Sequence, residues 1–321
     1  MKKVRFGVLS TAKIGVKYVL PAMQQGSLCE IAGIASRDAA RAAHAAAELG
    51  IPNHYGSYEE LLADPGIDAV YNPLPNHLHV PWTIKALEAG KHVLCEKPVA
   101  LNAEEAGSLV TASRKYPDLK VMEAFMYRFQ PRWQRTRELV REGAIGDLKI
   151  IHSFFSYYND DPENIRNKPG MGGGGLMDIG CYSVNCARFL FEREPVRATG
   201  SLELEPGFQV DRLASGLLEF DGGTSVFSCT MRSPGYQYVK IFGTGGYIMM
   251  DWPFNPDFDS PSKLTLTRGE TSEEMSFEPC NHFTIQGDRF AEAILENHPV
   301  PTPLEDSVAN MKVLDALRQP V

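Results

Sequence analysis

The stretch Gly90-Lys91-His92-Val93-Leu94-Cys95-Glu96-Lys97-Pro98 decides the architecture. Its centre, His92 to Cys95, reads as a short buried strand, and Glu96, Lys97 and Pro98 end it. A strand covered on both faces cannot easily hold two adjacent charges, so Glu96 and Lys97 belong at its carboxyl end. In open parallel sheets that edge is where ligands bind. Lys97 is therefore placed to present a cation to a bound molecule. Pro98 stiffens the exit, and a cis bond is one way it can do so. A strand-end lysine taken alone is ordinarily just solvated, so the role of Lys97 rests on the surrounding chain.

Upstream, Val4 to Leu9 is a short apolar strand followed by Ser10-Thr11-Ala12-Lys13-Ile14-Gly15 and a helical stretch to about Gln25. This is the strand, tight turn and helix of a dinucleotide-binding βαβ unit. Ser10 and Ala12 stand where the first two glycines of G-x-G-x-x-G would be, and only Gly15 remains. Both replacements are small, so the backbone of Ser10 to Ile14 can still approach a pyrophosphate. Pro21 predicts a kink or short break in the helix. Glu30 to Ala35 is the second strand and ends in Ser36-Arg37. An acidic residue at this tip would grip the ribose diol of NAD. None stands there, although Asp38 follows directly, and Arg37 and Arg41 offer two cations where a 2′-phosphate would sit. This favours NADP(H). Further strands are expected at Asp68 to Asn72 and Lys120 to Glu123, with helices between them. The loop Pro73-Leu74-Pro75-Asn76-His77-Leu78-His79 lies at another strand's carboxyl end, so Leu74, Asn76, His79 and Glu96 join Ser10, Thr11, Ala12, Lys13, Ile14, Ser36, Arg37, Arg41 and Lys97 as the expected cofactor lining. His77 and His79 are two apart and make a poor metal pair on a helix, so no metal site is expected. Strands alternating with helices through residue 123 predict an α/β, doubly wound parallel sheet, a Rossmann-type domain over residues 1–123.

After Glu123 the pattern changes. Leu148 to Tyr158 is a long aromatic strand, and five further strands are expected between residues 196 and 251, with Asp221-Gly222-Gly223 as a hairpin turn. Residues 124–321 are thus read as an α/β domain with a large, mostly antiparallel open sheet, closed by helices at 287–297 and 305–318. A sheet face left uncovered by helices could bury itself in a homodimer or higher homo-oligomer. Gly170-Met171-Gly172-Gly173-Gly174-Gly175 leads into a helix carrying Asp178, Tyr182 and Asn185 on one face. A glycine run lets backbone approach a ligand closely. A carboxylate, a phenol and an amide beside it suit a sugar or polyol. The competing reading is a helix whose tyrosine is simply buried and hydrogen-bonded.

The totals agree with a soluble globular chain of 321 residues, 43% hydrophobic, with net charge −8. No cluster of Lys and Arg alternates with aromatics, which argues against nucleic acid, and no apolar run approaches a membrane span. Lys2 and Lys3 run straight into a strand with no signal-type apolar region. Six scattered cysteines without a CxxC fit reduced thiols, so a cytoplasmic protein is expected.

Four stretches together, Ala12 to Gly15, Pro75 to His79, Ala89 to Pro98 and Asp178 to Tyr182, resemble the Gfo/Idh/MocA oxidoreductase family along nearly the whole chain. Tyr182 and the run Met122 to Phe129 resemble its branch of NADP-dependent D-xylose dehydrogenase, dimeric dihydrodiol dehydrogenase and glucose-fructose oxidoreductase. The resemblance implies that Lys97 and Tyr182 are catalytic, with Tyr182 exchanging the proton of the reacting C–OH. A phenol titrates near 10 in water, and the Lys97 cation would favour the phenolate. Asp178 and Asn185 would orient substrate hydroxyls, and Arg166, Arg128 and Met126 are further pocket candidates. His79 is an alternative proton donor. The resemblance also implies a sheet-mediated dimer and a last helix that returns to the first domain. A non-catalytic NADP-sensing module is the other class of function to weigh, and a purely structural oligomer the third.

Overall fold

The computed structural model describes residues 2–319 and divides into two compact units, Met1–Met126 with Asn281–Val308, and Tyr127–Cys280 with Ala309–Val321. The first is built on six parallel strands: β1 (Val4–Leu9), β2 (Cys29–Ala35), β3 (Asn53–Tyr55), β4 (Ala69–Asn72), β5 (His92–Cys95) and β6 (Val121–Glu123). Their order is β3-β2-β1-β4-β5-β6. The direction of winding reverses between β1 and β4, and the carboxyl ends beside that point carry Ser10 and Pro73. Helices α1 (Leu20–Gln24), α2 (Ala39–Leu49), α3 (Tyr58–Ala63), α4 (His79–Glu88) and α5 (Ala103–Ser113) connect the strands. The strands read as unbroken apolar runs because both faces are covered; Phe6, Val8, Ile34, Val70, Val93 and Leu94 are fully buried. Three helices start on side-chain caps: Asp38 accepts from Ala40 and Arg41, Ser57 from Glu60, and Asn102 from Glu105.

The helical run expected to kink or break at Pro21 continues through it. Pro21 lacks an N–H, and the turn before it, Gly15–Val19, widens to π geometry. Helix α8 (His282–Leu295), which the chain order groups with the second half, packs on α1, β1 and β2. Its Phe290 meets Phe6 with ring centroids 6.2 Å apart. Its Asp288 accepts the backbone N–H groups of Ser27 and Leu28, each at 2.9 Å.

The second unit is an eight-stranded sheet of β7 (Leu148–Tyr158), β8 (Arg197–Leu204), β9 (Asp211–Phe220), β10 (Gly223–Thr230), β11 (Arg232–Gly243), β12 (Tyr247–Asp251), β13 (Ser262–Arg268) and β14 (Thr271–Phe277). The order is β14-β13-β12-β11-β7-β10-β9-β8. Every pairing is antiparallel except β7 with β10. The hairpin at Asp221-Gly222-Gly223 joins β9 to β10, and Gly222 takes φ +93° there. One face carries α6 (Pro131–Arg141), a π-helical turn at Leu176–Gly180 and α7 (Cys181–Phe191), of which every residue is buried. Trp133, Phe254, Tyr127 and Phe155 form the aromatic centre of this layer. Helix α9 (Leu304–Leu317) begins among residues of the first unit and ends among those of the second. No helix among the described residues is long and apolar enough to cross a membrane. The six cysteines are free, and all but Cys280 are buried.

Candidate active site

The carboxyl edge of the parallel sheet carries the expected cofactor residues. Ser10 leaves β1 with φ +112°, a conformation glycine adopts freely and a residue with a side chain does not. Its N–H donates to the Ala35 carbonyl at 3.1 Å, and its Oγ accepts the Ala12 N–H at 3.2 Å. Thr11, Lys13 and Ile14 follow, partly or fully exposed. At the β2 tip, Ser36 is buried and Arg37 and Arg41 are exposed. Asp38 is spent locally: its Oδ1 accepts the N–H groups of Ala40 and Arg41 at 3.0 and 3.2 Å, and Arg41 pairs with it at 3.5 Å. A carboxylate held as a helix cap is not presented to a ribose diol. Arg37 is steadied by the Tyr58 phenol, which burial pushes up and the guanidinium, hydrogen-bonded to it, pulls back.

At the end of β5 the Lys97–Pro98 peptide is cis, and Lys97 is half-buried. Glu96 accepts the Tyr71 hydroxyl at 2.7 Å and the Lys97 N–H at 3.3 Å. Leu74 is buried, and Asn76 opens a short 3-10 turn, Asn76–Leu78. His79 is buried with Nδ1 2.7 Å from the Pro98 carbonyl and Nε2 2.6 Å from the Leu74 carbonyl. Burial pushes its imidazole down to about 4, against the pull of the two carbonyls. The neutral ring has one N–H, which donates to one of these carbonyls; both nitrogens face backbone, so His79 joins the two loops and presents neither to a substrate. The alternative acid named from sequence is set aside on that ground.

In the second unit the π turn and α7 present the polar residues. Asp178 accepts the Tyr157 hydroxyl at 2.5 Å and pairs with Arg166 Nε at 2.9 Å. Burial, then the Asp178 charge, pushes the Tyr157 phenol up. The Arg166 guanidinium is held charged first by Asp178, and the Tyr157 and Tyr182 phenols add to this. The Tyr182 ring lies 5.1 Å from Phe254, 5.8 Å from Phe155 and 6.0 Å from Tyr127. Asn185 is fully buried and accepts the Tyr127 hydroxyl at 2.6 Å. Arg128 lies over the Phe189 ring, 4.7 Å from its centroid, and Met126 is buried. Sequence spacing had Asp178, Tyr182 and Asn185 on one helical face. The structure adds Tyr157 and Arg166 as partners of Asp178, on the π turn that leads into α7. Tyr157 stands on β7, which the sequence offers only as an aromatic strand.

The glycine run also departs from expectation. A Cβ at Gly173 would fall 2.5 Å from the Arg166 carbonyl oxygen, and one at Gly174 would fall 2.0 Å from Asp211 Oδ1. These glycines admit the protein's own groups.

Residues 4–125 match the family model described as "Oxidoreductase family, NAD-binding Rossmann fold", and residues 133–249 match the GFO/IDH/MocA C-terminal domain. The chain belongs to the Gfo/Idh/MocA oxidoreductase family. It is 41% identical to a D-xylose 1-dehydrogenase (NADP(+)) of Haloferax volcanii, over 97% of this chain and 95% of the relative. It is 34% identical to a trans-1,2-dihydrobenzene-1,2-diol dehydrogenase of Xenopus laevis, over 86% and 83%. Among solved structures it resembles a 3-ketoreductase from Actinomadura kijaniata, crystallised with NADP and TDP-benzene, at TM-score 0.91 and 30% identity over 99% and 97% of the two chains. In this Gfo/Idh/MocA chain no group of three or more His, Cys, Asp or Glu among the described residues could hold a metal ion.

Proposed function

We propose that the protein is an NADP(H)-dependent oxidoreductase acting on a hydroxyl or carbonyl of a sugar or cyclic diol. The observation that carries the substrate class is the Tyr157–Asp178–Arg166 group one turn before Tyr182. Asp178 accepts the phenol O–H of Tyr157 and pairs with Arg166, and the Asn159 side chain also bonds that phenol, so a carboxylate, a phenol, an amide and a guanidinium meet in one cluster. Paired donors and acceptors of this kind suit a polyol.

The β2 tip fits NADP. With Asp38 spent as a helix cap, Arg37 and Arg41 set the charge there, and a 2′-phosphate is the group they complement. Ser10 to Ile14 would pass along the pyrophosphate, and the loops of Leu74, Asn76 and Lys97 along the rest of the cofactor. The bound cofactor supplies or accepts the hydride. Tyr182 gives or takes the proton of the reacting oxygen, and Lys97 is the second catalytic residue of this reading. Arg166 and Tyr157 orient neighbouring hydroxyls. The Actinomadura ketoreductase has been crystallised as a tyrosine-to-phenylalanine variant and as lysine-to-alanine and lysine-to-glutamate variants, the same two residue types that this reading makes catalytic.

Two further points belong to the same proposal. The outer face of the large sheet carries an aromatic ladder: Phe154 stacks on Tyr238 at 5.9 Å, Tyr236 meets Tyr238 at 6.1 Å and Trp252 at 6.2 Å, and His152 meets Phe242 at 5.9 Å. A second copy of the chain covering this face gives a homodimer, and a monomeric mass by sedimentation would remove the idea. Six free cysteines fit a reducing compartment, so we place the protein in the cytoplasm.

The test is a spectrophotometric scan at the NADPH absorbance band, in both directions, with NADP(H) and NAD(H) against pentoses, hexoses, keto-sugars and a dihydrodiol. Turnover linked to NADP with one of these classes is expected. Tight NADPH binding without turnover on any of them would replace the enzyme by a sensor.

A further inference from the structure

We propose that Asp211 is a positioning residue for catalysis: its carboxylate, at the start of β9, sets the entry of the helix that carries Tyr182. The inference rests on the assignment of Tyr182 as the acid/base.

Asp211 Oδ2 accepts the Leu176 N–H at 2.6 Å, and the Gly175 N–H also bonds this carboxylate. These are among the first backbone donors of the π turn, which has no partner for them within its own coil. Gly174, at φ +110°, curls round the same group; a Cβ there would meet Oδ1 at 2.0 Å, and one at Gly175 would meet Oδ2 at 3.3 Å. The loop is therefore moulded on a carboxylate. Two turns of continuous helix, Leu176–Gly180 and then Cys181 onward, carry that anchorage to Asp178 and Tyr182. Asp211 itself is buried, so it acts through the helix it anchors.

Its charge is held at a cost. Burial pushes the Asp211 carboxyl up to about 6, against the N–H groups of Leu176, Asp211 itself and Gly175 and the Arg318 cation at the end of α9. The Cys229 thiol faces it from β10, pushed well above its usual value by burial; Asp178, on the π turn, is paired with Arg166, and Arg212, next to Asp211, is paired with Glu203. A raised carboxylate means that the fold favours the protonated form. That contribution is complete below the unfolded value near 4 and is lost as pH rises through about 6. When Asp211 protonates, the carboxyl loses its charge and becomes a weaker acceptor, and the grip on the π turn loosens.

The experiment compares wild type, Asp211→Asn and Asp211→Glu. Asp211→Asn keeps an acceptor for Leu176 but loses the charge. Its kcat is expected to fall on the order of 10- to 100-fold, as for a small misplacement of a reacting group. Its KM for NADPH and its melting temperature at pH 8 should stay close to wild type. Wild-type kcat should fall below about pH 6, and the variant should lack that limb. Asp211→Glu, which restores the charge, should recover part of kcat. A variant kcat within about twofold of wild type overturns the proposal, as does a wild-type kcat that is flat across this range, a measurement needing no variant. Should wild type turn over nothing, the functional reading fails first. Amide exchange then decides separately: residues 174–180 should exchange about tenfold faster in Asp211→Asn than in wild type, and equal exchange overturns the proposal.

Discussion

Two entrances to helices can be set side by side. In the first unit Ser10 to Gly15 runs from β1 into a π turn at Gly15–Val19; in the second, Gly172 to Gly175 runs into a π turn at Leu176–Gly180. By sequence both entrances let backbone approach a ligand. The structure separates them. A Cβ at Gly15 would meet only Tyr71 at 3.6 Å and Pro73 at 3.7 Å, both ordinary contacts. The clearance beside Gly173 and Gly174 is already filled by the Arg166 carbonyl and the Asp211 carboxylate. The glycine-poor loop is the one left half-open to a ligand, and it accepts a strained serine. Glycine content alone does not say whether the approaching group is a ligand or another part of the chain.

The largest expected effect lies on the glycine-rich entrance. If its purpose is to aim Tyr182, then Tyr182→Phe should lower kcat by about 10²–10⁴-fold and leave NADPH affinity nearly unchanged. Near-normal turnover would pass the acid role to Lys97 and remove the reason for so tightly built a loop.

Next comes backbone tolerance. Gly174→Ala meets both a positive φ and Asp211, so a loss of at least about 2 kcal/mol in denaturant unfolding is expected. Gly15→Ala should change stability by less than about 1 kcal/mol, and in the stabilising direction, since alanine favours helix over glycine. Equal losses at both sites would dissolve the contrast.

Much of this was legible in the sequence, and the remainder has identifiable causes. The parallel sheet was readable because both its faces are covered, which leaves short apolar runs ending in charged or small residues, as at Cys95-Glu96. The caps at Ser57 and Asn102 are local, each accepting an N–H three residues on. The hairpin β13–β14 was not readable, since Thr271–Phe277 is mostly exposed and polar and carries no strand alternation. Nor were the π turn at Leu176–Gly180 and the grouping of Tyr157 with Asp178, residues 21 apart in the chain. A 3.6-residue spacing argument assumes α geometry throughout, and here the first turn of the helix is π, with its Leu176 N–H bonded to Asp211, 35 residues away. Helix α8 follows the large sheet in the chain, so only its contacts with α1, β1 and β2 place it with the first unit.

The cofactor end tests the glycine-poor entrance. Arg37→Ala should weaken NADP(H) binding by about tenfold or more, the worth of one charge-assisted contact, and leave NAD(H) almost unchanged. Equal loss for both cofactors would show Arg37 stacking on adenine, not pairing with a phosphate.

The smallest effect is the most direct probe of why that loop tolerates a serine. Holding Ser10 at φ +112° costs on the order of 1–3 kcal/mol. Ser10→Gly would relieve this. It would also give back about 0.4–1 kcal/mol through the freer unfolded chain. It would lose the long Oγ to Ala12 hydrogen bond, 3.2 Å and half-exposed, worth about 0.5 kcal/mol. Strain is the largest of the three, so a gain of about 1 kcal/mol in unfolding free energy is expected. If the variant is instead less stable, the hydroxyl is worth more than the strain, and the serine is kept to build the loop. If it is more stable but binds NADPH more weakly, the strain is retained for the cofactor, and the two entrances differ in what they are built around: a ligand in one, a buried carboxylate in the other.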